Sequence, residues 1–472
     1  MDLQYGASKQ YSYITGENSL EKSWNKNNND YLFLLRFALR MILSAVILGS
    51  LTLLGVLGNA HANAANNKTE PNARDGKALS VFNVVTFPNV ACGASTGYNG
   101  TCYTASECTS KGGTASGTCA SSFGVCCVFN LACGASTTQN NTYAIISSYS
   151  TSSDADPCSY TICKQNADVC KLRIDFDIMV LANPYSTTSA AADGPKLGDC
   201  FYDTLTVSNP GGTSPPIICG YNTGQHMYVP ASAACNTINI DVDTGTTTTT
   251  RKWQIKVTQF ECGNQMAPEL DCLQYFTAQT GTIATFNWDT TSTTVASTQV
   301  HLSNQYYDIC FRRVRSYCSL CLSPQISSTI AKIASSYGLG SSSLAATVKS
   351  AFGPTCVGTT VQPAGAAYGD YIEIANLQPS IGTTGTITTA SRLCGTVFNA
   401  ITTATIAGAT ACTWAKPFKI GVHFDEGEAL AATSQPAKKF TGGENIASAQ
   451  IAAGGDGYGY SGFWLAYWMN AC

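Results

Sequence analysis

The distribution of cysteine is the feature that most limits how this chain can fold. All 22 cysteines of the 472-residue sequence lie after position 91, beyond an apolar segment. An even number of cysteines behind such a segment is typical of secreted proteins, in which cysteines pair instead of binding zinc or acting as reduced thiols. The sequence therefore predicts a secreted, extracellular protein that is held together by disulfide bonds and has no free thiol.

Residues 1–64 have the order of a leader and signal peptide. A long apolar run follows Arg36 and Arg40, and residues 60–64 supply two small-x-small cleavage options. Two alternatives stay open: Met41 is the true start, or the run is an uncleaved membrane anchor, because it is just long enough to span a bilayer. Basic residues precede the run, so an anchor would also leave the cysteines outside the cell. Residues 65–91 follow as a polar linker.

Composition narrows the classes of function. Charged residues make up 12% of the chain and the formal net charge is −3, so no basic surface is expected to bind nucleic acid. Low charge combined with many β-branched and aromatic residues favours sheets, and the length favours two or three domains. Three Asn-x-Thr sequons predict glycosylation at Asn67, Asn99 and Asn140.

Residues 92–127 predict a small disulfide-rich module. Six cysteines and seven glycines fall in this segment, which leaves no room for an apolar core, so disulfides are expected to replace it. The adjacent Cys126 and Cys127 should bond to different partners, because a bond between neighbours is strained. The spacing, which ends in Cys-Cys, resembles the clip-type modules of arthropod extracellular proteins.

Strand patterns follow the module. Residues 171–181 alternate apolar positions, Leu172, Ile174, Phe176 and Ile178, with charged ones, which is typical of a strand with one buried face. Similar short runs are separated by clusters of Gly, Pro, Asn and Ser. The pattern predicts β-sandwiches.

The cysteine and strand order then resembles a CUB domain. The matching segments are Cys133 to Cys158, the Ile-Asp-Phe strand, Cys200-Phe-Tyr-Asp203 and Cys219-Gly220. The resemblance implies disulfides Cys133–Cys158 and Cys200–Cys219. Cys163 and Cys170 flank a loop of hairpin size, and we expect them to close it.

The same pattern recurs further along the chain. Its segments are Asp308-Ile-Cys310, Asp370-Tyr-Ile-Glu-Ile374, Arg392-Leu-Cys394-Gly395, residues 417–424 and Gly462-Phe-Trp-Leu-Ala-Tyr467. The resemblance implies a bridge Cys356–Cys394 equivalent to Cys200–Cys219. Residues 326–352 look more helical than strand-like and predict an insertion.

The sequence thus predicts an all-β chain with two tandem CUB-like β-sandwiches, over residues 128–265 and 266–472, behind the disulfide-rich module. As a whole it resembles arthropod secreted CUB-domain proteins with an N-terminal clip-like block.

Catalytic signatures are weak. The sequence has four histidines and neither a Gly-Asp-Ser-Gly nor an Ala-Ala-His-Cys segment, so a serine protease is not expected. The Gly-x-Ser-x-Gly match at Ser95 lies inside the disulfide module rather than between a strand and a helix, and predicts a turn. Cys318 and Cys321 lack a second ligand pair, and predict two structural bridges rather than zinc or redox chemistry.

Calcium is the metal that the CUB resemblance raises. Calcium-binding CUB domains use a Glu after the early strand and two Asp residues, whose oxygens suit a hard cation. The matching aspartates are Asp203 with Asp243 or Asp241 in the first domain, and Asp370 with Asp425 in the second. Ala182 stands at the Glu position, so we expect no metal site and only a slight effect of Asp203→Ala on stability.

The leading hypothesis is a non-enzymatic extracellular protein that binds proteins or glycans through its sandwiches, without a cofactor. The alternative is a structural component of cuticle or extracellular matrix, which low charge and Tyr/Gly-rich segments would suit. A membrane is a partner only if the leader stays uncleaved.

Overall fold

The structure is a computed structural model, and it describes the following residues: 86–150, 154, 156–185, 197–210, 212–243, 249–268, 271–292, 299–325, 336–339, 350–352, 370–379, 390–395, 398, 410–425, 429–431, 445–447 and 461–472. The chain divides into two compact units, Met1–Asn83 and Val84–Cys472, and every described residue belongs to the second. The predicted signal segment 1–64 lies outside the described residues. Among those described, no helix is long and apolar enough to cross a membrane.

The disulfide module is a small antiparallel sheet with one short helix. Its elements are β1 (Ala91–Gly93), β2 (Asn99–Tyr103), α1 (Ala105–Ser110), β3 (Thr114–Cys119), a 3-10 turn (Ala120–Ser122) and β4 (Gly124–Asn130). Thr104 and Glu107 form a capping box that begins the helix. The bridges are Cys92–Cys126, Cys102–Cys119 and Cys108–Cys127. The adjacent cysteines therefore bond to different partners, as predicted.

A small apolar cluster does form inside the module, around Tyr103, Cys108, Cys127 and Phe129. Gly113 lies against it, and a Cβ there would come within 2.2 Å of the Cys127 Sγ atom. A residue without a side chain is needed because the disulfide and the Phe129 ring occupy that space.

The first sandwich has two layers. Its strands are β5 (Ser136–Thr137), β6 (Thr142–Ile146), β7 (Cys158–Ile162), β8 (Val169–Val180), β9 (Asp203–Val207), β10 (His226–Pro230), β11 (Asn236–Val242) and β12 (Lys252–Glu261). One layer has the order β6-β12-β8-β10 and the other β5-β7-β11-β9. Parallel pairing of β4 with β6 joins the module to the first layer, so the two form one continuous sheet.

The predicted strand over residues 171–181 forms β8, with one difference. Leu172, Ile174 and Phe176 are buried, but Ile178 is exposed and Met179 takes the inward position. The pairing of β8 with β12 shifts by one residue at this point, between Gln254 and Ile255. Such an irregularity reverses which side chains face the core, and the alternation in the sequence does not show it.

Four disulfides close the first sandwich. Cys133–Cys158 and Cys200–Cys219 are bonded as the resemblance implies. The predicted closure of the loop between Cys163 and Cys170 is wrong. The observed bonds are Cys163–Cys235 and Cys170–Cys262.

The reason for this correction is the layering. Cys163 follows β7, whose partner β11 begins beside Cys235, whereas Cys170 lies in β8, whose partner β12 ends beside Cys262. The two cysteines belong to different sheets, and each bonds to the strand next to its own.

The second sandwich is built from the strands that remain. They are β13 (Gln274–Phe276), β14 (Thr280–Ala284), β15 (Gln305–Phe311), β16 (Tyr317–Pro324), β17 (Tyr337–Gly338), β18 (Ser350–Phe352), β19 (Tyr371–Pro379), β20 (Ala390–Gly395), β21 (Ala411–Thr413), β22 (Lys419–Phe424), β23 (Ala429–Ala431), β24 (Asn445–Ala447) and β25 (Gly462–Ala471). Eleven of these strands form one sheet with the main path β13-β15-β22-β19-β21-β16-β25-β14, whereas β23 and β24 pair only with each other, in a separate two-stranded sheet. In the segment predicted to be helical, the described parts contain the strands β17 and β18, and the rest lies outside the described residues.

The bridges of the second sandwich are Cys272–Cys310, Cys318–Cys472 and Cys321–Cys412. Cys318 and Cys321 thus belong to two structural disulfides, as predicted. Cys394 is disulfide-bonded, and its predicted partner Cys356 lies outside the described residues. No described bridge crosses from one of the predicted segments 92–127, 128–265 and 266–472 to another.

Side-chain amides join the two sandwiches. Gln225 donates from Nε2 to the Thr285 carbonyl at 2.9 Å and accepts from Gln274 Nε2 at 3.1 Å. Asn222 Oδ1 accepts from the backbone N–H of Asn287 at 2.8 Å. These groups are buried and paired with each other, so the junction is a specific interface rather than a flexible linker.

Candidate functional site at two buried aspartates

Asp203, the first residue of β9, lies at the end of the first sandwich where the resemblance places a calcium ligand. Its side chain is fully buried. The backbone N–H of Ala182 donates to Oδ2 at 2.6 Å, and the backbone N–H of Asp243 donates to Oδ1 at 3.1 Å. Two amides thus bind the carboxylate from the loops on either side, and each stabilises its negative charge.

Arg251 provides the positive charge at this position. Its Nε and Nη2 atoms donate to Oδ2 and Oδ1 of Asp203, each at 2.9 Å, and Nη2 also donates to the Asp243 carbonyl. Hydrogen bonding to Asp203, opposed by burial and reinforced by the charge of that carboxylate, raises the pKa of Arg251. The result is a bidentate pair, in which two nitrogens of the guanidinium donate to the two oxygens of one carboxylate.

This arrangement explains why Ala182 can stand where a calcium-binding domain has Glu. Ala182 contributes a backbone donor to Asp203, and the guanidinium compensates the charge that a cation would otherwise compensate. Both carboxylate oxygens are already committed to N–H donors. Asp203 thus joins the loops that carry Ala182 and Asp243, and its ion pair with Arg251 holds the carboxylate between them.

The second sandwich repeats the arrangement with a histidine. Asp370, directly before β19, is buried, and its Oδ1 accepts from the backbone N–H of Asp425 at 2.9 Å. His301 Nε2 lies 3.0 Å from Asp370 Oδ2, in a contact closer to an ion pair than to an aligned hydrogen bond. Asp203 and Asp370 thus hold equivalent places, with Arg251 and His301 as their cationic partners.

Electrostatics at His301 favour the charged ring. Burial of His301 opposes protonation of its ring. The negative charge of Asp370, its contact with the ring, the Leu302 carbonyl and the charge of Asp425 together outweigh burial. The pKa of His301 is therefore raised. Nδ1 lies 3.2 Å from the Leu302 carbonyl. Both ring nitrogens therefore have neighbours, which leaves neither available as a general base.

Of the five candidate aspartates, Asp203 lies with Asp243 and Asp370 with Asp425, in each case through a backbone N–H, whereas Asp241 is exposed. Over the described ranges, no group of three or more His, Cys, Asp or Glu side chains is arranged to hold a metal ion. Sequence reasoning missed Arg251 and His301. Neither lies at a distinctive spacing from its aspartate, and no pattern in the sequence could have identified them.

A second surface feature lies on the outer face of the second sandwich. Tyr306, His423 and Tyr371 are direct cross-strand neighbours on β15, β22 and β19. His423 stacks on Tyr371 with ring centroids 4.7 Å apart, and the Arg392 guanidinium lies 4.8 Å from the other ring face. We call these four residues the aromatic ladder.

The ladder is rigid and partly exposed. Tyr306 is 57% exposed at one end, whereas Tyr371 is buried between its neighbours. Glu373 Oε2 lies 3.8 Å from Arg392 Nε and 3.9 Å from His423 Nε2. Burial lowers the pKa of His423 although the Glu373 charge opposes this, so the ring is neutral at neutral pH.

The remaining sequence motifs are the Gly-x-Ser-x-Gly match at Ser95 and the glycosylation sequons. Ser95 lies in a turn closed by the Gly97 N–H and the Ala94 carbonyl, and its hydroxyl contacts Ser116, in agreement with the predicted turn. Of the sequons, Asn99 is exposed, and Asn67 lies outside the described residues.

Asn140 has a structural role. Its Nδ2 donates to the Gln259 carbonyl at 3.2 Å, and its Oδ1 accepts from the Gln259 N–H at 2.8 Å. The side chain thus pairs with β12 as a neighbouring strand would. Asn99 is the better-placed acceptor for a glycan.

The part of the chain that forms the second sandwich matches a known protein family. Residues 269–470 match the family model described as the animal CUB domain. This part of the chain is therefore similar to a CUB domain. CUB domains are commonly extracellular modules that bind proteins. No curated protein matches the sequence.

Several solved structures align with the chain. The CUB1-EGF-CUB2 domains of rat MASP-1 share 11% identity, cover 72% of this chain and 99% of that one, and give a TM-score of 0.20. The Ca2+-bound CUB2 domain of MASP-1 shares 18% identity over 27% of this chain and 98% of that one, also with a TM-score of 0.20. The extracellular region of zebrafish Gpr126/Adgrg6 shares 15% identity over 72% of this chain and 34% of that one, with a TM-score of 0.20.

Proposed function

We propose that the protein is a secreted, non-enzymatic binding protein that recognises an extracellular protein through its CUB-like sandwiches, over residues 128–265 and 266–472. The aromatic ladder is the observation that carries the proposal. Tyr and Arg side chains are enriched among the residues that contribute most of the binding free energy of protein interfaces, because they provide a large contact area. The ladder exposes Tyr306 and part of Arg392, and Glu373 lies beside Arg392 and His423.

Two further features support recognition rather than catalysis. The buried pairs Asp203–Arg251 and Asp370–His301 are engaged internally, so they stabilise the sandwiches without leaving a nucleophile or base toward solvent. His226 is also engaged, since the Tyr275 N–H donates to its Nε2 at 3.1 Å. A glycan partner remains the alternative ligand, and a matrix or cuticle protein the alternative role.

The test is capture of a partner from tissue extract on the immobilised secreted chain. Tyr306→Ala removes the exposed end of the ladder, and Phe123→Ala, which removes a ring that is 62% exposed on the disulfide module, is the matched control. We expect Phe123→Ala to retain the captured protein. Tyr306→Ala should weaken its binding about thirtyfold or more, since truncating an interface hot spot costs at least about 2 kcal/mol.

Other results would contradict the proposal. Equal capture by both variants would show that the ladder is not the recognition surface. Failure to extract the native protein in mild buffer, together with the absence of a selective partner, would favour the structural role in matrix or cuticle.

A further inference from the structure

A groove of about 640 Å³ separates the disulfide module from the outer face of the first sandwich. The module contributes Thr96–Asn99 as one wall, and strands β8 and β12 provide the floor. The groove is lined by two half-buried aromatic rings and a third, that of Tyr143, which is only 2% exposed, together with two carboxylates, two cationic side chains and several hydroxyl and amide groups. These include Tyr98, Tyr143 and Phe260, with Arg173, Asp175, Asp177, Gln254 and Lys256.

This lining suits a sugar. A pyranose ring has an apolar C–H face, which packs on aromatic rings, and a rim of hydroxyl groups that hydrogen-bond to planar polar side chains. The polar groups are already oriented: Arg173 Nε donates to Asp175 Oδ1 at 2.7 Å, and Gln254 Nε2 donates to Asp177 Oδ2 at 3.1 Å. A charged ligand is less suited, because carboxylates and cations alternate along the floor.

The sequon at Asn99 lies on the rim of this groove. Its side chain is exposed, and its backbone N–H donates to the Tyr143 hydroxyl at 2.9 Å. Tyr98 packs on Tyr143, with ring centroids 4.8 Å apart. An attachment point held this firmly would keep the first sugars of a glycan beside the groove rather than sweeping through solvent.

We propose that Asn99 carries an N-linked glycan whose first sugars lie in this groove, between the module and the first sandwich. Tethering makes the contact effective: a short link places the sugars at a local concentration in the millimolar range, so even weak affinity gives high occupancy. The glycan bridges two segments that β4 and β6 connect through only a short parallel pairing.

The experiment measures how fast lysines react with an acylating reagent in the full chain secreted from a eukaryotic host. Lys256 lies in the groove, whereas Lys252 lies four positions away along the same outward side of β12 and outside the groove, which makes it the internal control. We compare wild type with Asn99→Gln, which cannot be glycosylated. Thr101→Ser is the matched variant, because it keeps the sequon and the hydroxyl that accepts from Asn141.

In wild type and Thr101→Ser, Lys256 should react roughly two- to tenfold more slowly than in Asn99→Gln. A tethered ligand at a millimolar effective concentration occupies a site with a millimolar dissociation constant about half of the time or more. Lys252 should react equally in all three. Trimming the glycan to its first sugar should keep part of the protection if that sugar is the one in the groove.

Three outcomes would overturn the proposal. Peptide mass mapping could find Asn99 unmodified in the secreted chain. Lys256 could react at the same rate with and without the glycan, which would leave the groove open to a free ligand. Protection of Lys252 as well would show general shielding by a mobile glycan rather than occupation of the groove.

Discussion

The Asp203–Arg251 pair allows the sharpest test of how the sandwiches are stabilised. Asp203 is fully buried and the Arg251 side chain is 9% exposed, so both charges depend on each other for compensation. Removing one partner of a buried pair leaves the other desolvated and unpaired, which typically costs about 3–5 kcal/mol. We expect Asp203→Ala to destabilise the first sandwich by this amount, which replaces the slight effect expected from the sequence alone.

The assay is urea denaturation of the secreted chain with and without millimolar calcium. Asp203→Asn separates charge from shape, and should cost nearly as much as Asp203→Ala because Arg251 stays unpaired. In a double-mutant cycle, Asp203→Ala with Arg251→Ala should cost less than the sum of the single changes by about 0.5–3 kcal/mol. Calcium should not change any midpoint in wild type.

Two results would refute this reasoning. A cost below about 1 kcal/mol for Asp203→Ala would be typical of an exposed pair instead of a buried one. A calcium-dependent rise in wild-type stability, lost in the variant, would show that a cation binds the native state by mass action and displaces the guanidinium.

The remaining predictions concern pH, and the two buried histidines act in opposite directions. Burial, together with the positive charge of Arg173, lowers the pKa of His226 to about 3, although the Tyr275 carbonyl, 3.1 Å from Nε2, opposes this. The neutral ring therefore contributes to the free energy of unfolding in full above about pH 6.5, and this contribution is lost toward pH 3 by at most about 1.4 kcal/mol per pH unit. His226→Gln should remove this pH dependence from the midpoints of urea denaturation. The raised pKa of His301 contributes stability that is full below about pH 6.5 and is lost as pH rises through the raised value. His301→Gln should flatten that alkaline loss, and an unchanged profile would show that Asp370 does not hold the charged ring.

The sequence by itself determined the class of fold. Two signals in the sequence are local or compositional: the 22 cysteines after residue 91 and the alternation over residues 171–181. Disulfide formation depends directly on the first, and strand formation on the second. The separate partners of Cys126 and Cys127 also followed from local geometry. The CUB pattern was visible because family motifs are short stretches of neighbouring residues.

Only the tertiary structure decided the contacts between distant segments. Cys163 and Cys170 bond away from each other because their strands enter different layers, and Ile178 turns outward because β12 shifts its register against β8. Arg251 reaches Asp203 across 48 positions, and His301 reaches Asp370 from a loop of the same sandwich. Neither cation is marked by spacing or composition, since a buried charge is satisfied by whichever segment the folded sheets bring beside it.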